Sequence, residues 1–353
     1  MISEKISDPA VGSTPTPHLV PSTMRAIVQR RYGSTDTLLH TTAPTPTVRG
    51  ADVLIAVSAA SVDRGSWHLM AGRPYAARLA FGLRRPKAQI PGRSLAGTVV
   101  QVGDSVERFV VGDRVFGTGR GAFADFATAS EDALALIPTG LVDTAAAALA
   151  DSGLTALQAI TRVAQVVAGQ SVLIIGASGG VGSFATQIAS NIGADVTGVC
   201  STTKVELVRS LGATRVIDYT RTPIDSDDTR YDVVIDIGGN TPLRRLRKVM
   251  EPHGTLVIVG GEGGGRWLGG TDRQLRALAW SPFIDQRLTT FIATEHQGGL
   301  EELAAMSVAG TVTAAVTKRY ALADVPTAID DLVAGRIAGK AVIVVDDLVA
   351  DVS

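Results

Sequence analysis

The stretch Val172-Leu-Ile-Ile-Gly-Ala-Ser-Gly-Gly-Val-Gly182 restricts what this chain can fold into more than any other. A short apolar run of this kind reads as a buried strand. It runs into a glycine-rich turn, and the turn opens at once onto a helical pattern from Ser183 to Asn191 that Gly193 ends. Strand, glycine turn and helix in that order describe a loop built for a diphosphate. Counted back from Gly182, the dinucleotide fingerprint falls on Ala177, Gly179 and Gly182, with alanine in the first glycine slot. Gly179 lets backbone approach a pyrophosphate, and Gly182 lets the helix lie close on the strand. Ser178, Gly180 and Val181 complete the loop, and the free N–H groups of the helix start face the phosphates.

The residues that follow supply the context such a loop needs. Val196 to Cys200 reads as the next strand, Lys204 to Leu211 as a helix ended by Gly212, and Val216-Ile217, Val233 to Ile235 and Leu256 to Val259 as further strands. Strand–helix alternation predicts a doubly wound parallel sheet of the Rossmann type. Ahead of it, Thr144 to Val167 is alanine-rich and reads as helical with a break at Gly153. Before that helix the texture is β-rich. Arg25 to Gln29, Val53 to Val57, Gly97 to Val102 and Val111 to Val115 are strand candidates separated by Gly and Asp turns. After the alternating region come a strand over Leu288 to Ala293, a helix over Val325 to Val333 and a last strand over Ala341 to Val345. The glycines between Gly261 and Gly270 suggest a mobile loop.

The end of the second strand selects the cofactor. A site for the unphosphorylated dinucleotide carries Asp or Glu about 20 residues past the motif, bonded to the ribose 2′-hydroxyl. Here the sequence is Cys200-Ser-Thr-Thr-Lys204, with no carboxylate. Ser201 and Thr202 offer hydroxyls and Lys204 a positive charge, which favours NADP(H).

Composition removes other classes. A formal charge of -1 gives no electrostatic case for nucleic acid or an anionic membrane. A single cysteine, Cys200, rules out an intrachain disulfide and a cysteine-rich zinc module, and fits a reduced, cytoplasmic setting. Residues 1–23 are rich in Ser, Thr and Pro without a sustained apolar run, so they read as a disordered leader and not a signal peptide.

With Pro91-Gly-Arg-Ser-Leu-Ala-Gly97, Val102-Gly103, Val111-Gly-Asp-Arg-Val115, Gly121-Ala-Phe-Ala-Asp125, Gly153-Leu-Thr-Ala156 and Gly339-Lys340 added to the glycine loop, the chain from about Met24 to Val345 resembles the medium-chain dehydrogenase/reductase superfamily. Within it the resemblance is to the zinc-independent quinone-oxidoreductase-like branch. It implies a Rossmann domain over 150–287 inserted in a GroES-like β-rich catalytic domain, whose first part is 24–149 and whose completion is 288–353. The active site would lie in the cleft between them, and the strand after Leu288 would pair in a homodimer.

The resemblance also implies site residues. Thr155 matches the residue that holds the nicotinamide side, Tyr219 a contact to the adenosine phosphate, and Val259-Gly260 the backbone touching nicotinamide. The zinc ligands of the alcohol dehydrogenases fall on Asp63, Arg93 and Ser152. A guanidinium cannot ligate zinc, so no metal is expected. Without a Lewis acid the suited acceptors are already electrophilic: quinones and α,β-unsaturated carbonyls. Asp63 stands where these reductases often have Asn; it orients substrate or cofactor, or pairs with Arg93 or Arg64. Tyr75, in Gly72-Arg-Pro-Tyr75, is the candidate proton donor. His68 reads as a surface or packed histidine, and Arg84-Arg85 as a solvated loop. Enoyl-thioester reduction, and an NADPH-binding regulatory protein without turnover, remain as alternatives.

Overall fold

The computed structural model describes residues 20–261 and 265–345. The expected leader therefore lies outside the described residues up to position 19, as do positions 262–264 of the expected mobile loop. Thr23 already belongs to β1 (Thr23–Gln29), which pairs antiparallel with β2 (Leu38–Pro44). Next come β3 (Asp52–Val62), α1 (Arg64–Ala71), the short α2 (Arg78–Phe81), β4 (Ser94–Val102), β5 (Arg114–Thr118), β6 (Phe126–Ser130) and β7 (Leu134–Leu136). β3 is the hub: it pairs antiparallel with β4 and with β6. The sheet bends where β4 slips register against β3 between Val57 and Ala59. Gly97 sits at that bend because a Cβ there would stand 2.0 Å from the Ala56 carbonyl oxygen. β5 starts later than the sequence suggests. Residues Val110 to Asp113 form a turn instead, closed by Val110 N–H donating to Asp113 Oδ2 at 2.9 Å, with Gly112 at φ +100°.

α3 (Asp143–Leu157) runs unbroken through Gly153, which corrects the expected break there. Glycine is present for packing: a Cβ would lie 3.2 Å from Leu303 Cδ1 on a neighbouring helix. The small side chains of Ala146, Ala147, Ala148 and Ala150 are fully buried, and α3 packs on β3, β4 and β5 as well as on the helices of the second sheet. The α-helical hydrogen bonding changes only at Gln158, where a π-helical turn continues to Ala164 and ends at Gln165 in the left-handed region, φ +56°.

Beyond it the chain alternates: β8 (Ser171–Ile175), α4 (Gly180–Ile192), β9 (Asp195–Cys200), α5 (Val205–Ser210), β10 (Arg215–Asp218), β11 (Tyr231–Asp236), α6 (Leu243–Lys248), β12 (Met250–Ile258), α7 (Thr271–Trp280) and β13 (Arg287–Thr290). These six strands are all parallel, in the order β10-β9-β8-β11-β12-β13. The order reverses between β8 and β11, the place where doubly wound sheets bind ligand. Period-two geometry explains why β8 is apolar throughout. Val172 and Ile174 enter the core shared with α3 and α4, while Leu173 and Ile175 enter the core on the other face. β13 is shorter than expected. Gln158 holds Thr294 through Nε2 to its carbonyl at 2.7 Å and Oε1 from its N–H at 3.1 Å, which draws residues 291–293 off the sheet edge.

α8 (Gln297–Val308), β14 (Val316–Ala321), α9 (Val325–Val333) and β15 (Lys340–Val344) complete the chain. β15 returns to the first sheet and pairs antiparallel with β3, Ala341 against Val62. The molecule is thus an α/β fold in which a parallel doubly wound sheet interrupts a β-rich one, and the two meet along α3 and the start of β15.

Candidate active site

The glycine loop begins at the end of β8. Gly176 takes φ +89°, a region closed to most side chains, and its carbonyl accepts from Gly179 N–H at 3.0 Å. Gly179 is the extended residue just before α4 and offers it no side-chain cap. The helix therefore leaves the N–H groups of Gly180, Val181 and Gly182 without partners of its own, pointed out of its first turn. Gly182 is fixed by contact: a Cβ would stand 2.1 Å from the Gly176 carbonyl oxygen and 2.7 Å from Ala177 Cα. Alanine in the first glycine slot is tolerated because of Gly198 on β9. A Cβ on Gly198 would lie 3.1 Å from the Ala177 methyl, so the glycine opposite makes the room. Ser178 is buried, and its carbonyl accepts from Gly339 N–H at 2.7 Å, which ties the loop to the entry of β15.

Past the end of β9, Ser201, Thr202 and Lys204 share one tight turn. Lys204 Nζ donates to the Ile337 carbonyl at 2.7 Å, and its burial lowers the pKa of the ammonium. The expectation that no carboxylate reaches this corner needs correction. Asp218, at the end of β10, accepts from Thr202 Oγ1 at 2.5 Å and from Thr220 Oγ1 at 2.7 Å, with Arg221 Nε at 3.4 Å. Hydrogen bonds from Thr202 first, then Thr220, hold its pKa below the usual range, so it stays ionised. No carboxylate follows β9 along the chain; the neighbouring parallel strand β10 brings this one in, with Asp218 opposite Cys200. Tyr219 follows it, exposed, with its N–H on the Cys200 carbonyl at 3.1 Å.

Thr155 lies half-buried on α3. Val259 and Gly260 follow β12, both donating to the Asp236 carbonyl. Gly260 is glycine for an internal reason: a Cβ would stand 2.2 Å from the Ile237 carbonyl oxygen. The close approach is made by the protein's own backbone.

Where the two sheets meet, four polar side chains gather. Asp63 is buried and caps α1, accepting from Ser66 N–H at 2.8 Å and Ser66 Oγ at 3.1 Å, with Ser94 Oγ at 3.4 Å. Lys340, wholly enclosed at the start of β15, donates from Nζ to Ser152 Oγ at 2.9 Å. Asp151 stands beside them on α3. Burial, then the charge of Asp63, pushes its carboxyl up to about 6, against the pull of Lys340 and Arg93. Burial lowers the pKa of Lys340, while Asp63 and Asp151 act to keep it charged. Arg93, expected as a partner of Asp63, forms an ion pair with Glu295 instead. This donor set does not fit zinc. An ammonium occupies the hydrogen-bonding reach of Ser152, and the arginine at the middle ligand position faces a glutamate in the loop between β13 and α8. Sequence reading missed Asp151 and Lys340. The signal was present in Gly339-Lys-Ala-Val-Ile-Val-Val345, where a lysine opens a strand of otherwise apolar residues.

Tyr75 stands elsewhere, packed against the segment that follows Gly265. Its N–H donates to the Arg266 carbonyl at 2.9 Å, its ring meets Trp267 edge-on at 5.4 Å, and Arg78 lies 4.6 Å from the ring centre. His68 Nδ1 lies 2.9 Å from the Arg73 carbonyl.

Comparison with known proteins agrees with this geometry. Residues 49–139 match the alcohol dehydrogenase GroES-like domain, and residues 211–343 match the zinc-binding dehydrogenase family. The chain is 32% identical over 253 residues to a chloroplast envelope quinone oxidoreductase homolog of Arabidopsis thaliana, covering 67% of this chain and 74% of that one. It is 32% identical over 259 residues to the NADPH-dependent alkenal/one oxidoreductase of the same plant, covering 69% and 64%. The solved quinone oxidoreductase of Coxiella burnetii superposes with a TM-score of 0.79 at 26% identity, covering 91% of this chain and 99% of that structure.

Proposed function

The chain belongs to the medium-chain dehydrogenase/reductase superfamily, in its quinone-oxidoreductase-like branch, and from that membership we propose that it is an NADP(H)-dependent reductase of quinones and α,β-unsaturated carbonyls. The observation that carries the reading is the bare start of α4, three backbone donors held by Gly176 and Gly182 beside the point where the strand order of the parallel sheet reverses. Ala177, Ser178, Gly179, Gly180, Val181 and Gly182 take the diphosphate. Ser201, Lys204 and the backbone N–H of Thr202 take the 2′-phosphate, the Thr202 hydroxyl staying on Asp218, and Tyr219 flanks the adenosine. Lys204 gives up a neutral carbonyl for a phosphate, a stronger acceptor. Asp218 is already occupied by two threonine hydroxyls and Arg221, which blunts its repulsion.

Thr155 and the backbone of Val259-Gly260 border the nicotinamide end. When bound, the reduced nicotinamide supplies hydride to the acceptor. The chain's part is to hold the acceptor against that ring and to exclude water. Asp63 holds the start of α1 at the junction of the sheets, and Tyr75 is the proton donor. Among the described residues no helix is long and apolar enough to cross a membrane. A small-molecule acceptor, a cytoplasmic setting and a homodimer paired through the β13 edge complete the proposal.

The test is direct. Purified protein is mixed with NADPH and, separately, a quinone, an alkenal, an enoyl thioester and a saturated ketone, and the nicotinamide absorbance is followed. Turnover of the quinone or alkenal is expected. Turnover of the thioester alone would replace this reading with enoyl-thioester reduction, and NADPH binding without any turnover would make the chain a regulatory binder.

A further inference from the structure

The formal charge of -1 averages over an uneven chain. Residues 73–87 hold the cations Arg73, Arg78, Arg84, Arg85 and Lys87 and no carboxylate. The same segment holds Leu79, Phe81 and Leu83, and all three are exposed, Leu79 by 79% and Leu83 by 66%. The backbone beneath them is pinned. Lys87 N–H donates to the Phe81 carbonyl at 2.9 Å, Lys87 Nζ to the Ala80 carbonyl at 2.9 Å, and the Tyr32 hydroxyl to the Gly82 carbonyl at 2.6 Å. Gly82, at φ +120°, lets the chain double back there, since a Cβ would stand 2.1 Å from the Arg85 carbonyl oxygen. The apolar side chains and the two adjacent arginines thus share one short projection, and the Arg84 and Arg85 side chains are exposed without a partner among the described residues. A second element adjoins it. Tyr75 and Ala76 N–H donate to the carbonyls of Arg266 and Trp267, and the Tyr75 ring meets the indole edge-on. Trp267 is nonetheless 73% exposed, with Arg266 and Leu268 exposed on either side. Arg78 joins the two elements at the base, 4.4 Å from the Tyr32 ring centre and 4.6 Å from that of Tyr75.

We propose that this projection, with residues 266–268 beside it, docks the protein on the surface of an anionic lipid bilayer. Leu79, Phe81, Leu83 and Trp267 enter the interfacial layer, where indole rings and short apolar runs are at home, and Arg84 and Arg85 meet the negative headgroups. Apolar side chains clustered on a surface otherwise wetted call for a partner, and the unbalanced positive charge selects an anionic one. A second copy of the chain suits the surface less. A two-fold contact would set the patch against itself, arginines facing arginines. Attachment is to the surface only, since among the described residues no helix is long and apolar enough to cross. The inference stands apart from the reductase reading.

The full chain is sedimented with vesicles of phosphatidylcholine alone, and with vesicles of phosphatidylcholine and phosphatidylserine in equal parts. Wild type is expected to pellet with the anionic vesicles and to stay in solution with the neutral ones, and added salt should release part of the bound protein. Replacing the two arginines together, Arg84→Gln and Arg85→Gln, should lower the partition coefficient about 30-fold. Leu79→Ser with Phe81→Ser should lower it about ten-fold or more. All four positions are exposed, so both double variants should keep the wild-type Tm. As a second readout, tryptophan emission should move to shorter wavelength on the anionic vesicles, and Trp267→Phe should lose that shift. Equal pelleting with both kinds of vesicle, pelleting with neither, or anionic binding that survives both double variants would overturn the proposal. So would self-association without lipid that Leu79→Ser with Phe81→Ser abolishes, which would make the surface a contact between copies. Turnover of NADPH in vesicle-free solution reports on the reductase reading separately.

Discussion

Replacing Gly182 with alanine puts a methyl carbon 2.1 Å from the Gly176 carbonyl oxygen, 2.7 Å from Ala177 Cα and 2.8 Å from the Gly176 carbonyl carbon. All three are backbone atoms, so no side chain can swing aside. Helix α4 must move off the loop by more than an ångström before the contacts become ordinary. Overpacking of this kind costs about 1–3 kcal/mol of stability. The same movement carries the amides of Gly180, Val181 and Gly182 away from the diphosphate. A charge-assisted bond of about 2.9 Å lengthened by an ångström is no longer a hydrogen bond. Each is worth about 1.5–3 kcal/mol, so loss of one or two amounts to about 3 kcal/mol, near 10²-fold in Kd. Calorimetric titration with NADPH and a thermal melt measure the two effects. The control is Gly298→Ala, in the exposed first turn of α8, where the nearest atom to a new Cβ is His296 Nδ1 at 3.9 Å. That variant should keep its NADPH affinity and gain about 0.4–1 kcal/mol from the smaller entropy of its unfolded chain. Gly182→Ala with wild-type affinity and wild-type Tm would refute the packing argument.

Three further outcomes are expected. Lys204→Ala should weaken NADPH about 10-fold or more, the value of one hydrogen bond to a charged group, and leave NADH nearly unchanged; parallel titrations with the two cofactors read the difference. Asp218→Asn removes the negative charge beside Thr202 and should shift preference further toward NADPH, seen as a rise in the NADH/NADPH ratio of Kd values. Asp151→Asn has a pH-dependent effect on stability. The folded carboxyl is raised to about 6, so the folded state binds this proton more tightly than the unfolded chain, and stability falls as pH rises from the ordinary carboxylate range through 6. The variant should therefore gain in Tm relative to wild type at pH 8 and not at pH 4, as differential scanning calorimetry at the two values would show.

The parts of the molecule legible in the sequence are those governed by contacts near in the chain. The β8 run, the turn from Gly176 to Gly182 and the stop at Gly193 are set by backbone sterics and by the two-fold and 3.6-fold periods of strand and helix, and these need no distant partner. Alternation of such units implies the parallel sheet, since right-handed crossovers leave few other arrangements. Gly153 and Gly260 were legible as glycines but not as to reason. One accommodates Leu303 and the other the Ile237 carbonyl, each brought in from another element.

The chemistry of the junction was decided only by tertiary structure. Ser152 and Lys340 lie 188 positions apart, and Thr202 meets Asp218 because β9 and β10 are neighbours in a parallel sheet. Arg93 reaches across to Glu295, a choice no local rule favours over Asp63. Along the chain, a charge is only a charge. Whether it is desolvated, paired or left facing a ligand depends on which segments the folded core presses together, and that core is assembled from residues scattered over the whole sequence.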